Sequence, residues 1–274
     1  MCKVLCVSSS SYYQWKKNPI GKREQKTIEL TEKIKESYDS SKKRYGSPRI
    51  TVDLQKNGIS ISRKRVAKLM RISGLKSIIR RKYRIQTTDS NHTYRISRNH
   101  LNRDFYAPCA GIKWASDLTY IKTGEGWLYL TVVMDLCDRK IIGWAVSSDM
   151  QAENTTVKAF RMAVSNRSPS EGLIFHSDRG VQYACDVFRK ELGNWSVTQS
   201  MSRKGNCWDN APIESFFKSM KTEMVYHNKY ITRKLAAMAI FEYIEVWYNR
   251  KRRHSYLGYL SPCEFEKSRM AKAV

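Results

Sequence analysis

The sequence has no apolar run long enough to cross a membrane. Its longest conspicuous one, WLYLTVVM at 127–134, is far shorter than the roughly 20 residues that a transmembrane helix needs, and it is typical of a buried strand. No signal peptide is visible at the N-terminus. These absences exclude an integral membrane protein and a secreted one, so we expect a soluble protein of the cytoplasm without a membrane partner.

Cysteine pairs of the kind that bind zinc are also missing. The seven cysteines are odd in number and widely spaced, and none forms a CxxC motif or a paired Cys/His spacing. This pattern excludes a disulfide framework and a structural zinc site, so we expect reduced thiols. The cysteines are Cys2, Cys6, Cys109, Cys137, Cys185, Cys207 and Cys263.

Acidic charge is scarce. Only 25 Asp and Glu stand against 50 Lys and Arg, which gives a formal net charge of +25 at pH 7. So large a surplus favours a polyanionic partner, and nucleic acid is the commonest one. A basic surface kept for solubility is the alternative, but the charge is clustered along the chain rather than spread. With 41% hydrophobic and 11% aromatic residues, the 274-residue chain otherwise predicts a folded globular protein with a buried core.

The N-terminal part predicts a series of short helices. Residues 1–20 have the pattern of a partial helix-turn-helix remnant whose opening helix is missing, with a frayed N-terminal helix as the alternative. Residues 22–38 carry apolar positions on a helical period and predict one amphipathic helix. A turn at 46–48 then places Pro48 where a helix can begin, and Gly58 ends that helix.

The next predicted helix carries the strongest basic run. Ser62 is its candidate N-cap and Gly74 its end, and positions 63–84 contain ten Arg or Lys and no acid. Two short helices around a glycine-centred turn, the second rich in basic residues, indicate a helix-turn-helix DNA-binding domain at 21–84. A solvated basic helix is the alternative. We expect phosphate contacts from Arg63, Lys64, Arg65, Lys68, Arg71, Arg80 and Arg81.

Residues 85–108 have weak periodicity and predict a linker. The composition then changes to three β-type runs whose hairpin-like connections, at 124–126 and 137–139, predict antiparallel strands. Helices are predicted after them at 152–165, 181–192 and 211–225, and short strands within 172–178 and 197–201. This order predicts an α/β domain at 109–228, with helices on the faces of a mixed sheet, followed by a helical basic segment at 229–274.

Three carboxylates stand out in the predicted α/β domain. Asp117 lies inside the first strand, where Asp is poorly suited and a buried carboxylate is costly without a metal or a partner. Asp178 ends a later strand, at the kind of sheet edge where such folds keep their sites. Glu214 lies about one turn into a helix that Asp209 or Asn210 can cap. The first two acids are separated by 60 residues and the last two by 35.

Each acid has a structural alternative: Asp117 can pair with a basic side chain, Asp178 can cap the next helix, and Glu214 can pair with Lys218. Together, without a His or Cys cluster, they suit a hard cation such as Mg²⁺ or Mn²⁺. Two such ions about 4 Å apart can bind one phosphodiester, activate a water or a 3′-hydroxyl and stabilise the leaving oxygen. Lys221, two helical turns after Glu214, could hold a phosphate or be an ordinary surface lysine.

A second basic cluster, RKRRH at 250–254, follows Trp247 and Tyr248. Aromatic and basic side chains together favour DNA binding beside the site, with a solvated helix end as the alternative. The predicted contacts are Arg250, Arg252 and Arg253.

The motifs closely resemble the second-frame protein, OrfB, of the IS-three (IS3) family of bacterial insertion-sequence transposases. The resemblance lies in WASDLTYI, HSDRGVQYA, SMSRKGNCWDNAPIESFFKSMKTE and YNRKRRHSYLGYLSPCEFE, and upstream in YGSPRI and KRVAKLMRISGL, so it covers most of the chain. It implies a DDE-type, retroviral-integrase-like catalytic core with an RNase H-like fold, preceded by an all-α helix-turn-helix region. By this resemblance the metal-binding acids map to Asp117, Asp178 and Glu214, and Lys221 matches the family's basic residue after the glutamate.

The resemblance also implies an activity. A transposase of this kind uses two Mg²⁺ or Mn²⁺ ions to cut a 3′ end at the terminal inverted repeats, joins it through a circular intermediate and inserts the element into target DNA. The implied partners are double-stranded DNA, further copies of the chain and the first-frame OrfA protein, as a separate chain or a frameshift fusion, at the bacterial nucleoid. A DNA-binding regulator that does not cut and an RNase H-like nuclease without strand transfer are the alternatives.

Overall fold

The computed structural model describes residues 2–78 and 93–271, and the chain forms two compact units, residues 1–80 and 81–274. None of the helices in the described ranges is long and apolar enough to cross a membrane. The end of the predicted helix-turn-helix domain and the start of the predicted linker lie outside the described residues. So do two predicted DNA contacts, Arg80 and Arg81.

The described part of the N-terminal unit is helical. Its helices are α1 (Ser9–Lys17), α2 (Lys22–Ser40), α3 (Ser47–Lys56) and α4 (Arg63–Ile72). Helices α2, α3 and α4 pack on one another through apolar side chains spaced three or four residues apart, as an amphipathic helix requires. The buried side chains are Leu30, Ile34, Tyr38, Ile50, Leu54, Val66, Leu69 and Met70.

The predicted ends of these helices are confirmed. Ser62 caps α4, since its side chain accepts a hydrogen bond from the backbone nitrogen of Arg65. Pro48 lies in the first turn of α3. Gly58 and Gly74, which follow α3 and α4, have φ angles of 78° and 66°, a left-handed conformation that glycine adopts at little cost. Helix α1 buries none of its side chains, so the remnant and the frayed helix both stay open as interpretations.

A five-stranded mixed sheet forms the centre of the second unit. Its strands are β1 (Lys113–Thr123), β2 (Gly126–Asp135), β3 (Ile141–Ser147), β4 (Ile174–Ser177) and β5 (Thr198–Met201). They lie in the order β3-β2-β1-β4-β5, with β1–β2 and β2–β3 antiparallel and β1–β4 and β4–β5 parallel. The predicted antiparallel trio and the predicted mixed sheet are confirmed, and β1 is the central strand.

Helices flank this sheet, as predicted. In the described ranges they are α5 (Lys158–Asn166), α6 (Val181–Ala184), α7 (Asp186–Gly193), α8 (Ala211–Glu223), α9 (Arg233–Phe241) and α10 (Pro262–Met270). Wider π-type turns precede α5 at 153–157 and continue α9 at 242–248. The single helix predicted at 181–192 is wrong, because Cys185 has an extended ψ of 154° that separates α6 from α7.

Aromatic packing fixes the two strands that carry the first two acids. Rings from β1, β4, α5, α6 and α7 lie with their centroids 5.4–6.4 Å apart, mostly in edge-to-face pairs. Such pairs add to the free energy of burying the rings. The rings belong to Trp114, Phe160, Phe175, Tyr183 and Phe188, and all five are buried.

The described end of the predicted linker, around residues 100–107, packs within the second unit and is not a free linker. Leu101 and Ala107 are buried there. The side chain of Ser200 in β5 accepts hydrogen bonds from the backbone nitrogens of His100 and Leu101, at 2.9 and 3.1 Å. This segment has no helical or strand period because it bonds to a distant strand rather than to itself. Local pattern therefore could not distinguish it from a linker.

The C-terminal segment predicted at 229–274 also belongs to the second unit. Helix α9 contacts β1 and β2. The side chain of Asn249 bonds to both backbone polar groups of Ile141 in β3, donating to the carbonyl at 2.9 Å and accepting from the nitrogen at 3.0 Å. The chain after α8 is thus tied to the sheet that carries the acids.

Candidate active site

Adjacent parallel strands lead to Asp117 and Asp178. The last paired residues of β1 and β4 are Ala115 and His176. Each acid follows two residues later, Asp117 within β1 and Asp178 just beyond the end of β4. The charge of Asp178 acts on the carboxyl of Asp117, so the two acids lie in one region. The fold thus brings together two acids that are separated by 60 residues in the sequence.

Burial and nearby negative charge control the protonation of Asp117. The pKa of its carboxyl is raised well above its usual value, first by burial and then by the charges of Asp178 and Glu214. Two influences oppose this rise: the backbone nitrogen of Leu118 donates to Oδ1 at 2.8 Å, and Lys221 contributes positive charge. Burial and the neighbouring carboxylates thus outweigh the effects of Leu118 and Lys221 on Asp117.

A tight turn after β4 holds Asp178. Its Oδ1 accepts a hydrogen bond from the backbone nitrogen of Gly180 at 2.9 Å. A Cβ atom at Gly180 would lie only 3.1 Å from that oxygen, so glycine leaves room for the carboxylate. Gly180 precedes α6, so this hydrogen bond closes the turn before the helix. It does not cap the first turn of α6, which was the structural alternative for Asp178.

Helix α8 brings an acid and a base to the strand pair. Glu214 lies in its first turn, as predicted, with an exposed side chain whose carboxyl is still desolvated enough to raise its pKa. Lys221 follows seven residues later on the same face. Its Nζ lies 5.7 Å from the centroid of the Tyr120 ring, and burial lowers its pKa while Asp117 opposes that effect. Lys221 and Asp117 therefore influence each other electrostatically, and the phosphate contact expected of Lys221 stays a prediction.

The donor chemistry suits a hard divalent cation, but the acids do not form a ready-made ion cage. Across residues 2–78 and 93–271, no three His, Cys, Asp or Glu side chains are gathered closely enough to hold a metal ion. The charges of Asp178 and Glu214 both act on Asp117, so three oxygen-bearing side chains belong to one region. The buried Oδ1 of Asn210 also has no hydrogen-bond partner within the described residues. Oxygen donors of this kind fit Mg²⁺ or Mn²⁺.

Asp209, in the turn before α8, makes a dense set of hydrogen bonds that the sequence did not reveal. Its buried carboxylate accepts from the side chain of Arg203 at 2.7 and 2.9 Å and from the Arg203 backbone at 2.9 Å. It also accepts from Arg103 at 2.8 Å and from Asn99 at 3.0 Å. The bonds from Arg203 come first among the causes that hold the pKa of Asp209 well below its usual range.

Asn210, the next residue, links this turn to β1. Its Nδ2 donates to the backbone carbonyl of Ser116 at 3.2 Å, in the peptide that joins Ser116 to Asp117. Neither Asn210 nor Asp209 gives α8 a side-chain cap, so the predicted capping role is wrong for both. Their partners lie about 100 residues earlier in the chain, except for Arg203, and no local pattern indicated them.

His176 is a further buried polar residue that the sequence analysis missed. Its ring nitrogens lie 2.9 Å from the hydroxyl of Ser200 and 3.2 Å from that of Ser202. Burial lowers its pKa to about 4, although the charge of Asp209 acts in the opposite direction. His176 is therefore neutral at pH 7, and the strand next to Asp117 carries no positive charge at this position.

The basic residues predicted on α4 all lie on its exposed side. The helical period places them on a different side of α4 from its buried residues Val66, Leu69 and Met70. This leaves their charges available to a polyanion, which is the arrangement that phosphate contact requires. The exposed residues are Arg63, Lys64, Arg65, Lys68 and Arg71.

The fold exposes one residue of the second basic cluster and buries another, so the prediction that Arg252 contacts DNA is wrong. Arg250 is exposed, but Arg252 is only 6% exposed and its guanidinium bonds to Glu223 at 2.8–3.1 Å. A buried, carboxylate-bound arginine cannot also reach a phosphate at the surface. Arg253 is half-buried and bonds to Glu264 at 3.3 Å.

The aromatic residues beside that cluster are buried as well. Trp247 donates its indole N–H to Glu223 at 3.1 Å, and the Tyr248 ring packs edge-to-face on Phe216 with centroids 4.7 Å apart. The interpretation of these two rings as DNA-binding side chains is wrong, because they form the interior of the C-terminal segment.

Comparison with known families agrees with this geometry. The family described as Integrase core domain matches residues 107–207, and a second family of the same description matches residues 214–270. The family described as HTH-like domain matches residues 24–83, which contain α2, α3 and α4. The two integrase matches cover the strands, α8 and the C-terminal helices of the second unit.

Solved structures of retroviral integrase catalytic cores are similar at a greater distance. The core of bovine immunodeficiency virus (BIV) integrase is 14% identical, with a TM-score of 0.43 over 60% of this chain and 99% of that one. The core of HTLV-2 integrase in complex with magnesium is 13% identical, with a TM-score of 0.45 over 58% of this chain and 98% of that one.

Whole-chain relatives are much closer in sequence. The transposase InsF for insertion sequence IS3A of Escherichia coli is 40% identical over 273 residues, which are 99% of this chain and 94% of that protein. A 31 kDa protein of insertion element IS600 from Shigella sonnei is 41% identical over 265 residues, 97% of each chain. With such identity along nearly its full length and an integrase core in place, the chain belongs to the IS3-family transposases, polynucleotidyl transferases that carry out DNA transposition.

Proposed function

We propose that Asp117, Asp178 and Glu214 are the catalytic, metal-binding acids of this transposase. The observation that carries the proposal is the charge effect of Asp178 and Glu214 on Asp117, supported by the parallel pairing of β1 with β4 that ends two residues before the first two acids. The raised pKa of Asp117 reflects the burial and the mutual repulsion of these groups. Desolvated carboxylates that lie beside one another favour a bound divalent cation, whose charge offsets their repulsion. Such a site is suited to external cations.

The reaction proposed is cleavage of a 3′ end at the terminal inverted repeats of the element, followed by joining through a circular intermediate and insertion into target DNA. Integrase cores are metal-dependent, and two bound Mg²⁺ or Mn²⁺ ions would polarise the phosphodiester and activate a water or a 3′-hydroxyl. The three acids would hold the ions. Lys221 would ion-pair with a phosphate of the bound end, with its ammonium group placed by the Tyr120 ring.

DNA contact is proposed for several basic side chains. An HTH-like domain and an integrase core both imply DNA binding, and the exposed face of α4 would supply phosphate contacts along the terminal repeat. Arg250 extends this set in the second unit, with Arg253 in its half-buried position beside it. The proposed set is Arg63, Lys64, Arg65, Lys68, Arg71, Arg80, Arg81, Arg250 and Arg253.

We also propose that the working complex is a homo-oligomer on DNA, assisted by the first-frame OrfA protein as a partner or a fusion. Two ends of one element must meet before insertion, and a single chain has one set of the three acids. The bacterial cytoplasm, at the nucleoid, is the proposed location because the substrate is chromosomal DNA.

The decisive experiment incubates the purified chain, alone and with OrfA, with labelled duplexes that carry the terminal repeat of its own element and with Mg²⁺ or Mn²⁺. We expect a cut at the 3′ end and a joined product, both lost in Asp178→Asn while DNA binding is retained. Hydrolysis without a joined product would identify a nuclease instead. Binding with no cleavage under any of these conditions would identify a regulator.

The contribution of α4 can be measured through salt dependence. Lys68→Ala and Arg71→Ala, combined, should weaken binding to the terminal repeat and lower the slope of log affinity against log salt by about 2, since each lost phosphate contact removes about 0.9. Fluorescence anisotropy over a salt series gives both quantities. Lys33→Ala with Lys35→Ala, on exposed positions of α2, is the matched control and should leave the slope unchanged. Equal slopes for the two double variants would contradict the assignment of α4.

A further inference from the structure

The turn that leads into α8 is attached to three separate parts of the second unit. Arg203, just after β5, and Arg103, in the segment before β1, both donate hydrogen bonds to the carboxylate of Asp209. Asn210 bonds to the backbone carbonyl of Ser116 in β1. Asp209 and Asn210 are both buried, so water does not compete strongly for these bonds.

These hydrogen bonds lie next to two of the acids, Asp117 and Glu214. The Ser116 carbonyl belongs to the peptide bond that leads into Asp117, and Glu214 follows Asn210 by four residues, one helical turn. A rigid helix begun at Asn210 therefore places Glu214 at a defined offset from Asp117. Because the side chain of Glu214 is itself exposed and bound in no cage, its backbone position is what the fold can control.

Helix α8 lacks a side-chain N-cap because the residues that could supply it bond elsewhere. Asp and Asn are strong N-cap residues, worth about 1 kcal/mol to a helix. Here both side chains bond to distant partners, and α8 begins without a side-chain cap. The polar groups before α8 are thus committed to placing the helix rather than to closing its first turn.

We propose that Asp209, held by Arg103 and Arg203, and Asn210, held by β1, are positioning residues that fix Glu214 relative to Asp117 for binding the divalent cations. The proposal rests on the proposed function, since it gives Glu214 the role of a metal ligand. Loosening the turn should lower affinity for the cation while the unit stays folded. Partners of metal ligands commonly change metal affinity by about 10–100-fold, and we expect an effect of that size.

The test measures Mn²⁺ binding to the full chain by electron paramagnetic resonance, together with the Mn²⁺ concentration that half-saturates cleavage of repeat-end DNA. Asn210→Ala should raise both values by about tenfold or more. Asp209→Asn, which keeps the shape but loses the charge, should do the same, and circular dichroism identifies any variant that fails to fold. Asn210→Ala is the milder change, so it supports the test if Asp209→Asn does not fold.

A matched control separates positioning from general loosening. Glu266→Gln removes a carboxylate that pairs with Lys140 and Arg167 at the β2–β3 turn, away from α8. It should lower the melting temperature without moving the Mn²⁺ values. Folded Asn210→Ala and Asp209→Asn with wild-type Mn²⁺ values would overturn the inference if Glu214→Gln shows weakened binding. If Glu214→Gln also behaves as wild type, or the wild type binds no Mn²⁺, the proposed catalytic site itself fails.

Discussion

Replacing Asp117 with Asn should abolish strand cleavage and joining and, in the same protein, raise the melting temperature in the absence of divalent ions. The loss of activity should exceed the roughly 100-fold that removal of an outer-shell partner causes, because the variant lacks a proposed ligand itself. The gain in stability follows from the raised pKa: the ionised carboxylate of Asp117 is desolvated near Asp178 and Glu214, and the amide removes that repulsion. A rise of about 2–4 °C is expected for each kcal/mol recovered.

The pH dependence of this gain has a definite sign. The pKa of Asp117 is higher in the folded protein than in the unfolded chain, so the folded state keeps its proton to a higher pH. The stability associated with that proton is lost as pH rises from about 4, the unfolded value, through the raised folded value. The melting temperature of the variant relative to wild type should therefore increase over that range and then level off.

Asp135 provides the matched control for Asp117. It is a buried Asp in the same sheet, whereas Asp117 is half-buried, and its carboxylate accepts hydrogen bonds from Gly111 at 2.7 Å and Trp114 at 3.1 Å and pairs with Arg167 at 2.8 Å. Asp135→Asn should lower the melting temperature. Millimolar Mg²⁺ should stabilise the wild type and not Asp117→Asn. A fall in melting temperature for Asp117→Asn at neutral pH without metal would show that Asp117 is an ordinary structural acid.

The second large effect is expected at Arg252. Arg252→Ala should lower the free energy of unfolding by about 3–5 kcal/mol, because it removes a buried guanidinium that bonds to the buried carboxylate of Glu223. The hydroxyl of Tyr243 and the indole of Trp247 still donate to Glu223, but neither carries a charge. Urea unfolding followed by circular dichroism gives the free energy.

Arg250→Ala is the control, since Arg250 is two residues away and exposed, and its loss should change stability by no more than about 0.5 kcal/mol. Adding Glu223→Gln to Arg252→Ala should recover part of the lost stability, because the buried negative charge is then gone. If Arg252→Ala were as stable as wild type and bound DNA with a lower salt slope, the original interpretation of Arg252 as a phosphate contact would be right.

Local patterns in the sequence predicted those features that depend on neighbouring residues. The Ser62 cap and the left-handed glycines at 58 and 74 are decided within one helical turn, and alternating apolar residues with short connections define the antiparallel strands. The element that carries each acid was predictable for the same reason. Asp117 lies within a strand, Asp178 follows one, and Glu214 lies in the first turn of a helix.

Features that depend on distant partners were not predictable. Arg250 and Arg252 have the same chemistry in the sequence, yet only the fold buries Arg252 against Glu223, 29 residues earlier. Asp209 looked like a helix cap because its partners Asn99 and Arg103 lie more than 100 residues away. Local patterns in one sequence do not show such long-range pairs. These pairs decide whether a charged group faces solvent, a neighbouring side chain or the site.

The central strand has a consequence for how the protein is made. Strand β1 pairs with β2 through a short hairpin, but its parallel pairing with β4 joins Ala115 to His176, 61 residues later, and the turn before α8 joins Asn99 to Asp209. Contacts between distant residues form late, because the intervening chain must first be synthesised and ordered. While the ribosome is still translating, a nascent chain can thus present its folded N-terminal helices to nucleic acid before any nuclease centre exists.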